Sequence, residues 1–325
     1  MGYYAGVDLG ATNVRAVVGA GDGTRLGVSR GRTPQGPSGI DVTEGVLETL
    51  REACDAGGIE PTRLQGVGIG SIGPLDLAEG AVVDPANLPD TIDRIPLTGP
   101  VGALIDSDDV LLHNDTTAGV IGERYHADRN PDDMVYLTFS SGIGAGVCCD
   151  GEILDGWDGN AGEVGHTVVD PCGRLTCGCG REGHWEAYCS GTGIPRYARF
   201  LADDDPSIET ALPLTDPDFD APAVFAAAGE DPLADHVIDQ LCHWNTIGIT
   251  NAVHAFAPLL VSVGGAVALE NPDLVVDPLR ERLEETVMTN VPELQLTALG
   301  DDVVLEGALA SAMTHGTGDR SLLAD

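Results

Sequence analysis

Five short segments of the chain carry side chains that could do chemistry. Asp8-Leu9-Gly10-Ala11-Thr12 follows an apolar run. A turn at Gly10 can aim backbone N–H groups and the Thr12 hydroxyl at phosphate oxygens. Asp8 would then hold Mg²⁺ or its waters, because that ion keeps water ligands beside one or two carboxylates. Ser140-Ser141-Gly142-Ile143-Gly144-Ala145-Gly146 is a second such turn. Its glycines at alternate positions, with Ser141, Gly142 and Gly144 foremost, leave room for phosphate against the backbone. Each segment alone reads equally as a ligand-free hairpin; one in each half of the chain strengthens the phosphate reading. Leu259 to Gly265 reads as a buried strand whose closing pair, Gly264-Gly265, admits a flat base or a phosphate, or simply ends the strand.

His113-Asn114-Asp115-Thr116-Thr117 reads as a strand end entering a helix. Asp115 can stay ionised beside the helix N-terminus and accept a hydroxyl proton, or it can be a plain N-cap. The last segment joins Gly162-Glu163-Val164-Gly165-His166 to Cys177-Gly178-Cys179-Gly180-Arg181-Glu182-Gly183-His184-Trp185-Glu186. His166, Cys177, Cys179 and His184 supply two nitrogens and two sulfurs, a closed tetrahedral Zn²⁺ set that is structural and not catalytic. Cys172 and Cys189 compete for the same role and rank below. A zinc ion there would pin the loop that carries Glu163 and Glu186, whose carboxylates can accept hydrogen bonds from sugar hydroxyls.

These groups need a scaffold. Tyr4 to Leu9, Val14 to Val18 and Arg25 to Ser29 read as an antiparallel meander turned at Gly10 and at Gly21-Asp22-Gly23. Val42, Val46, Leu50 and Cys54 recur at helical spacing over Asp41 to Ala56. Strands are expected at Gln65 to Ile72 and Val110 to Leu112, with loop from Pro74 to Pro100 and a helix from Thr116 to His126. Met134 to Phe139 and Gly144 to Cys149 repeat the opening pattern, and Asp150 to Gly183 reads as loop. Helices follow over Thr192–Ala202, Ala221–Ala228, Leu233–Phe256 and Pro278–Thr289. A last strand is expected at Asp302 to Leu305 and a last helix at Glu306 to His315. The repeat implies a duplicated α/β fold with a cleft between its halves: a small domain at 1–112 completed by helix 306–320, and a large one at 113–305 carrying loop 159–186.

Composition narrows the chemistry further. The 325 residues hold 52 acidic and 16 basic side chains, a formal charge of −36. Every basic residue is Arg, so a Walker-type phosphate loop and Schiff-base chemistry both lack their Lys. Such a charge repels nucleic acid and anionic membranes, and its size points to adaptation to high salt, where self-repulsion is screened. No stretch approaches the roughly 18–20 apolar residues of a bilayer span. The opening residues lack a basic leader, so a cytoplasmic setting is expected.

Taken in order, these segments resemble the ROK family of sugar kinases. Asp8 to Thr12 matches its first phosphate motif, Asn87-Leu88-Pro89 a sugar-side Asn loop, and Asn114-Asp115 the pair in which the Asp is the base. Ser140 to Gly146 matches its second phosphate loop. Gly159 to His166 with Cys177 to Glu186 matches its signature and zinc site, and Gly264-Gly265 its nucleotide-side pair. His184 stands where the family usually has Cys. The resemblance implies an actin-like ATPase (ribonuclease H-like) fold, two α/β domains around a cleft, and a homodimer. It implies ATP, Mg²⁺ and structural Zn²⁺, with Asp115 taking the proton of a hexose 6-hydroxyl. Asn87, Asn114, Glu163, His166 and Glu186 would hold the ring, His166 serving sugar and zinc through different ring nitrogens. Glucose is the first expectation; fructose, mannose, N-acetylmannosamine and N-acetylglucosamine are the alternatives. Family members that act as transcriptional repressors carry a helix-turn-helix ahead of the core; with Asp8 near the start, no such module is expected here. An actin- or chaperone-type ATPase would not need the zinc loop or its two glutamates.

Overall fold

The structure, a computed structural model, describes residues 2–85 and 88–323. The chain divides into two compact units. The first comprises Met1–Met134, Gly146–Gly162 and Asp302–Asp325; the second comprises Val135–Ala145 and Glu163–Asp301.

The first unit is built on a five-stranded sheet. Its strands are β1 (Tyr3–Leu9), β2 (Asn13–Ala20), β3 (Arg25–Arg32), β4 (Leu64–Ser71) and, later, β8 (Val110–Asn114), in the order β3-β2-β1-β4-β8. The β1–β2–β3 meander is antiparallel as expected, while β4 and β8 run parallel to β1. Helix α1 (Gly39–Gly57) covers one face. It buries Val42, Val46, Leu50 and Cys54, and Ser38 opens it in a reciprocal capping box with Asp41.

Between β4 and β8 the Pro-rich stretch is not all loop. β5 (Leu75–Asp76), β6 (Ala81–Val83) and β7 (Arg94–Pro96) form a small antiparallel sheet, and α2 (Thr98–Ile105) follows. The opposite face of the main sheet carries α3 (Asp115–His126) and the last helix of the unit, Val303–Met313. That last helix corrects the sequence reading: Val303 and Leu305 are helical, and no strand forms at 302–305. Its backbone lies so close to the sheet that a Cβ on Gly68 would sit 2.0 Å from the Ala308 carbonyl. α3 packs with this helix, and the unit extends to Met134.

A buried Arg ties the end of α3 to three loops. Arg124 is 1% exposed and donates to the carbonyls of Pro131, Gly151 and Thr317 and to Asp132 Oδ1 at 2.7–3.0 Å. Replacing it with Met keeps the volume but strands those carbonyls. Arg124→Met is therefore expected to cost about 3 kcal/mol in denaturant unfolding. A loss below about 0.5 kcal/mol would show the loops to be held by other contacts.

The other five-stranded sheet runs in the order β11-β10-β9-β12-β13. Its strands are β9 (Met134–Phe139), β10 (Ile143–Cys149), β11 (Glu152–Ile153), β12 (Leu260–Gly264) and β13 (Glu293–Leu296). β13 pairs parallel with β12 and was not expected. The helices are α4 (Glu186–Cys189), α5 (Gly193–Asp204), α6 (Ala221–Ala226), α7 (Pro232–Phe256), α8 (Ala266–Glu270), α9 (Pro272–Val275) and α10 (Asp277–Thr286), which makes Val303–Met313 α11. Among the described residues, no helix is long and apolar enough to cross a membrane.

Candidate active site

In the first unit, the β1–β2 turn closes through the Gly10 N–H on the Asn13 carbonyl at 3.0 Å. β3 braces it, with the Thr33 N–H on Thr12 O and the Thr33 hydroxyl on Gly10 O. Thr12 is exposed at the tip. Asp8 sits at the end of β1, and its Oδ2 accepts from Arg15 Nε at 2.9 Å and Nη2 at 2.6 Å. Burial pushes the Asp8 carboxyl up while Arg15 pulls it down, and burial prevails. The ion pairs continue from Arg15 to Asp302, from Asp302 to Arg25, and from Arg25 to Glu306 on α11. Sequence reasoning left Arg15 out, because nothing local marks a residue that faces Asp8 only through strand pairing.

Asp115 opens α3. The N-cap is Asn114, whose Oδ1 accepts from the Thr117 N–H at 2.7 Å and the Thr116 hydroxyl at 2.9 Å. Asp115 is the exposed first residue of the helix, and its Oδ1 accepts from the Thr116 N–H at 2.8 Å. Asn87 lies outside the described residues.

Just before this pair, His113 is buried and its Nε2 lies 2.7 Å from Ser311 Oγ on α11. Burial pushes its imidazole down to about 4. The neutral ring therefore stabilises the fold above the ordinary His pKa of about 6.5, and that contribution is lost as pH falls toward 4. It amounts to about 3 kcal/mol. In His113→Asn, unfolding free energy should lose about one proton's worth of pH dependence over that window. Identical pH profiles would contradict this.

In the second unit, His166, Cys177, Cys179 and His184 do converge. Their ligand atoms all lie within 4.8 Å of one another. Cys177 Sγ is 3.6 Å from His166 Nδ1, and Cys179 Sγ is 3.3 Å from His184 Nδ1. A tetrahedral ion with Zn–S of about 2.3 Å and Zn–N of about 2.0–2.1 Å has N···S edges of about 3.6 Å, so the donor set and its spacing fit zinc. Cys172 is exposed outside this group, and Cys189 is buried against the Leu241 carbonyl. Asp170 organises the loop: it accepts from Tyr188 OH and from Arg174 and Cys172, which outweigh its burial and hold its carboxyl down to about 2.

The other face of His166 turns to Glu163, with Nε2 3.7 Å from Oε2. Glu186 reaches two ways. Its Oε2 accepts from the Ile143 N–H at 3.0 Å, and Cys177 Sγ lies 3.6 Å from its Oε1. It thus joins the cysteine loop to the turn at Ser140–Gly142, a link between residues too far apart in sequence to be read. A Cβ on Gly142 would sit 2.6 Å from Glu186 Oε2. Ser141 is exposed at the tip of that turn, held through its carbonyl by the Thr192 hydroxyl at 2.8 Å, and Gly144 already belongs to β10. Gly265 takes φ 85° directly after β12, where a Cβ would meet the Phe139 carbonyl at 2.4 Å. Close packing on β9 thus requires this glycine.

Comparison with known proteins gives this arrangement its class. A ROK hexokinase from Thermus thermophilus aligns with a TM-score of 0.79 and 30% identity, covering 96% of this chain and 98% of that one. A ROK family glucokinase from Streptomyces griseus, solved with glucose and AMPPNP, aligns with a TM-score of 0.73 and 29% identity over 95% and 98%. The protein has the two-domain α/β fold of the actin-like ATPases. A glucokinase of Pyrobaculum calidifontis is 34% identical over 316 residues, 96% of this chain and 95% of that protein. The ROK family model matches residues 4–315, and the chain belongs to the ROK family.

Proposed function

We propose that this protein is an ATP-dependent hexose kinase that phosphorylates glucose at its 6-hydroxyl. The observation that carries the reading is 34% identity to a glucokinase over nearly the full length of both chains, with the chemistry-bearing segments present in one chain. In this reading Asp115 accepts the hydroxyl proton as the oxygen attacks the γ-phosphorus. Asn87, Asn114, Glu163, His166 and Glu186 accept and donate hydrogen bonds around the sugar. Gly10, Thr12, Ser141, Gly142, Gly144, Gly264 and Gly265 serve the nucleotide, with Asp8 placed for Mg²⁺. When bound, that ion spreads the charge of the transferring phosphoryl group. His166, Cys177, Cys179 and His184 would hold zinc in a structural role, which fixes the residues between Glu163 and Glu186.

The test is a coupled ADP-release assay in molar KCl with glucose, fructose, mannose, N-acetylmannosamine and N-acetylglucosamine. Glucose should give the highest kcat/KM. A higher value for an acetamido sugar would move the specificity, and ADP release without any sugar would sink the kinase reading.

We also infer adaptation to high salt from the charge of −36, and a cytoplasmic homodimer from the likeness to the ROK family alone. At such charge density, repulsion opposes the compact state once screening is removed. Dialysis into low salt should therefore abolish the far-ultraviolet circular dichroism of the native fold. An unchanged spectrum would count against halophilic adaptation.

A further inference from the structure

The Ser140–Gly142 turn between β9 and β10 is gripped from outside by one short segment, α4 and the three residues after it. The Gly191 N–H donates to the Ser140 carbonyl at 2.7 Å, and the Thr192 hydroxyl donates to the Ser141 carbonyl at 2.8 Å. The Thr192 N–H reaches the same carbonyl at a longer 3.4 Å. At the other end of the segment, the Glu186 carboxylate takes the Ile143 N–H. The segment is itself well braced. Ser190 is fully buried; its hydroxyl donates to the Glu186 carbonyl at 2.8 Å and accepts from the Gly193 N–H at 3.0 Å. Trp185, directly before α4, packs edge-on against Phe139, the last residue of β9.

The two carbonyl contacts decide where the turn's donors point. A peptide unit is planar and trans, so its C=O and the N–H of the next residue face opposite ways. The Ser140 and Ser141 carbonyls are drawn toward Gly191 and Thr192. The N–H groups of Ser141 and Gly142 are therefore directed away from that segment. Successive N–H groups aimed to one side make an anion-binding concavity. Gly142 resists rotation of the Ser141–Gly142 peptide less than any other residue would. Without a tether, the Ser141 carbonyl would be free to turn its partial negative charge toward a phosphate.

We propose that Thr192 is a positioning residue for phosphate binding: its hydroxyl fixes the Ser141–Gly142 peptide so that the N–H groups of Ser141 and Gly142 face the phosphates of the nucleotide. The proposal rests on the hexose-kinase reading and its assignment of this turn to the nucleotide. Donors preorganised in this way act where charge is carried, on the phosphates, and not on the base or the sugar. Thr192 is exposed, so removing its hydroxyl leaves the core intact.

Thr192→Val keeps the shape and removes the hydroxyl; Thr192→Ser keeps the hydroxyl. Calorimetry on the full-length protein in molar KCl, with AMPPNP and Mg²⁺, with adenosine and with glucose, separates the contacts. In Thr192→Val, affinity for AMPPNP should fall roughly tenfold and kcat/KM for ATP roughly 10–100-fold. Affinity for adenosine and the KM for glucose should stay within about twofold, and Thr192→Ser should recover most of the loss. If the unaltered protein phosphorylates glucose and Thr192→Val matches it toward AMPPNP and ATP, the proposal fails and the kinase reading stands. Equal losses for AMPPNP, adenosine and glucose would make the hydroxyl merely structural and overturn the proposal. If the unaltered protein binds no nucleotide and phosphorylates no hexose, both fail.

Discussion

Asp115→Asn should lower kcat for the hexose by roughly 10³–10⁴ while leaving the sugar KM within about threefold. The carboxylate is exposed, so the loss would not come from an emptied core. The helix start is kept by Asn114, which caps Thr117 and binds the Thr116 hydroxyl independently of Asp115. Asn has nearly the same shape and can still accept from the Thr116 N–H, but it cannot take a proton. An effect confined to kcat identifies a group used in the transition state. Parallel loss of folding, read by circular dichroism, would assign it a structural role, and near-normal turnover would remove it from the mechanism.

The second large effect is expected at the cysteine loop. Cys177→Ser combined with Cys179→Ser should eliminate bound zinc by metal analysis and lower the melting temperature. It should also reduce kcat/KM for the sugar by roughly 10²-fold. The reason is mechanical. The four donors lie within the segment from Glu163 to Glu186, and Cys177 lies against Glu186, which in turn holds the Ile143 N–H. Freeing the loop lets both carboxylates drift, and a misplacement of about 1 Å is enough for a loss of that size. His184→Cys, by contrast, should retain zinc, since thiolate and imidazole both suit a tetrahedral site. A zinc-free double variant with full stability and activity would show the cluster to be dispensable.

How far the chain could be read follows from where its information is local. The β1–β2–β3 meander was legible because glycine turns separate three β-rich runs, and α1 because its apolar residues repeat at helical spacing. Asp302 to Leu305 misled for a physical reason: a short apolar run fits a buried strand or a buried helix equally, and periodicity cannot separate them. Packing on the sheet face opened by Gly68 decided for helix. β5, β6 and β7 are only two or three residues each, too short to show alternation, and β13 offered four. At the site, Cys177-Gly178-Cys179 and the flanking histidines announced themselves by type and spacing. The Asp8–Arg15 pair and the Glu186–Ile143 bond did not, because strand pairing and tertiary packing create them.

The central claim is transfer of the γ-phosphoryl group of ATP to the hexose 6-oxygen. Phosphorus NMR of the protein with ATP, Mg²⁺ and glucose in molar KCl observes that transfer directly. A glucose 6-phosphate resonance should grow in step with ADP, inorganic phosphate should stay at background, and 6-deoxyglucose should yield no sugar phosphate. ADP rising together with inorganic phosphate, or phosphate appearing on another hydroxyl, would contradict the account.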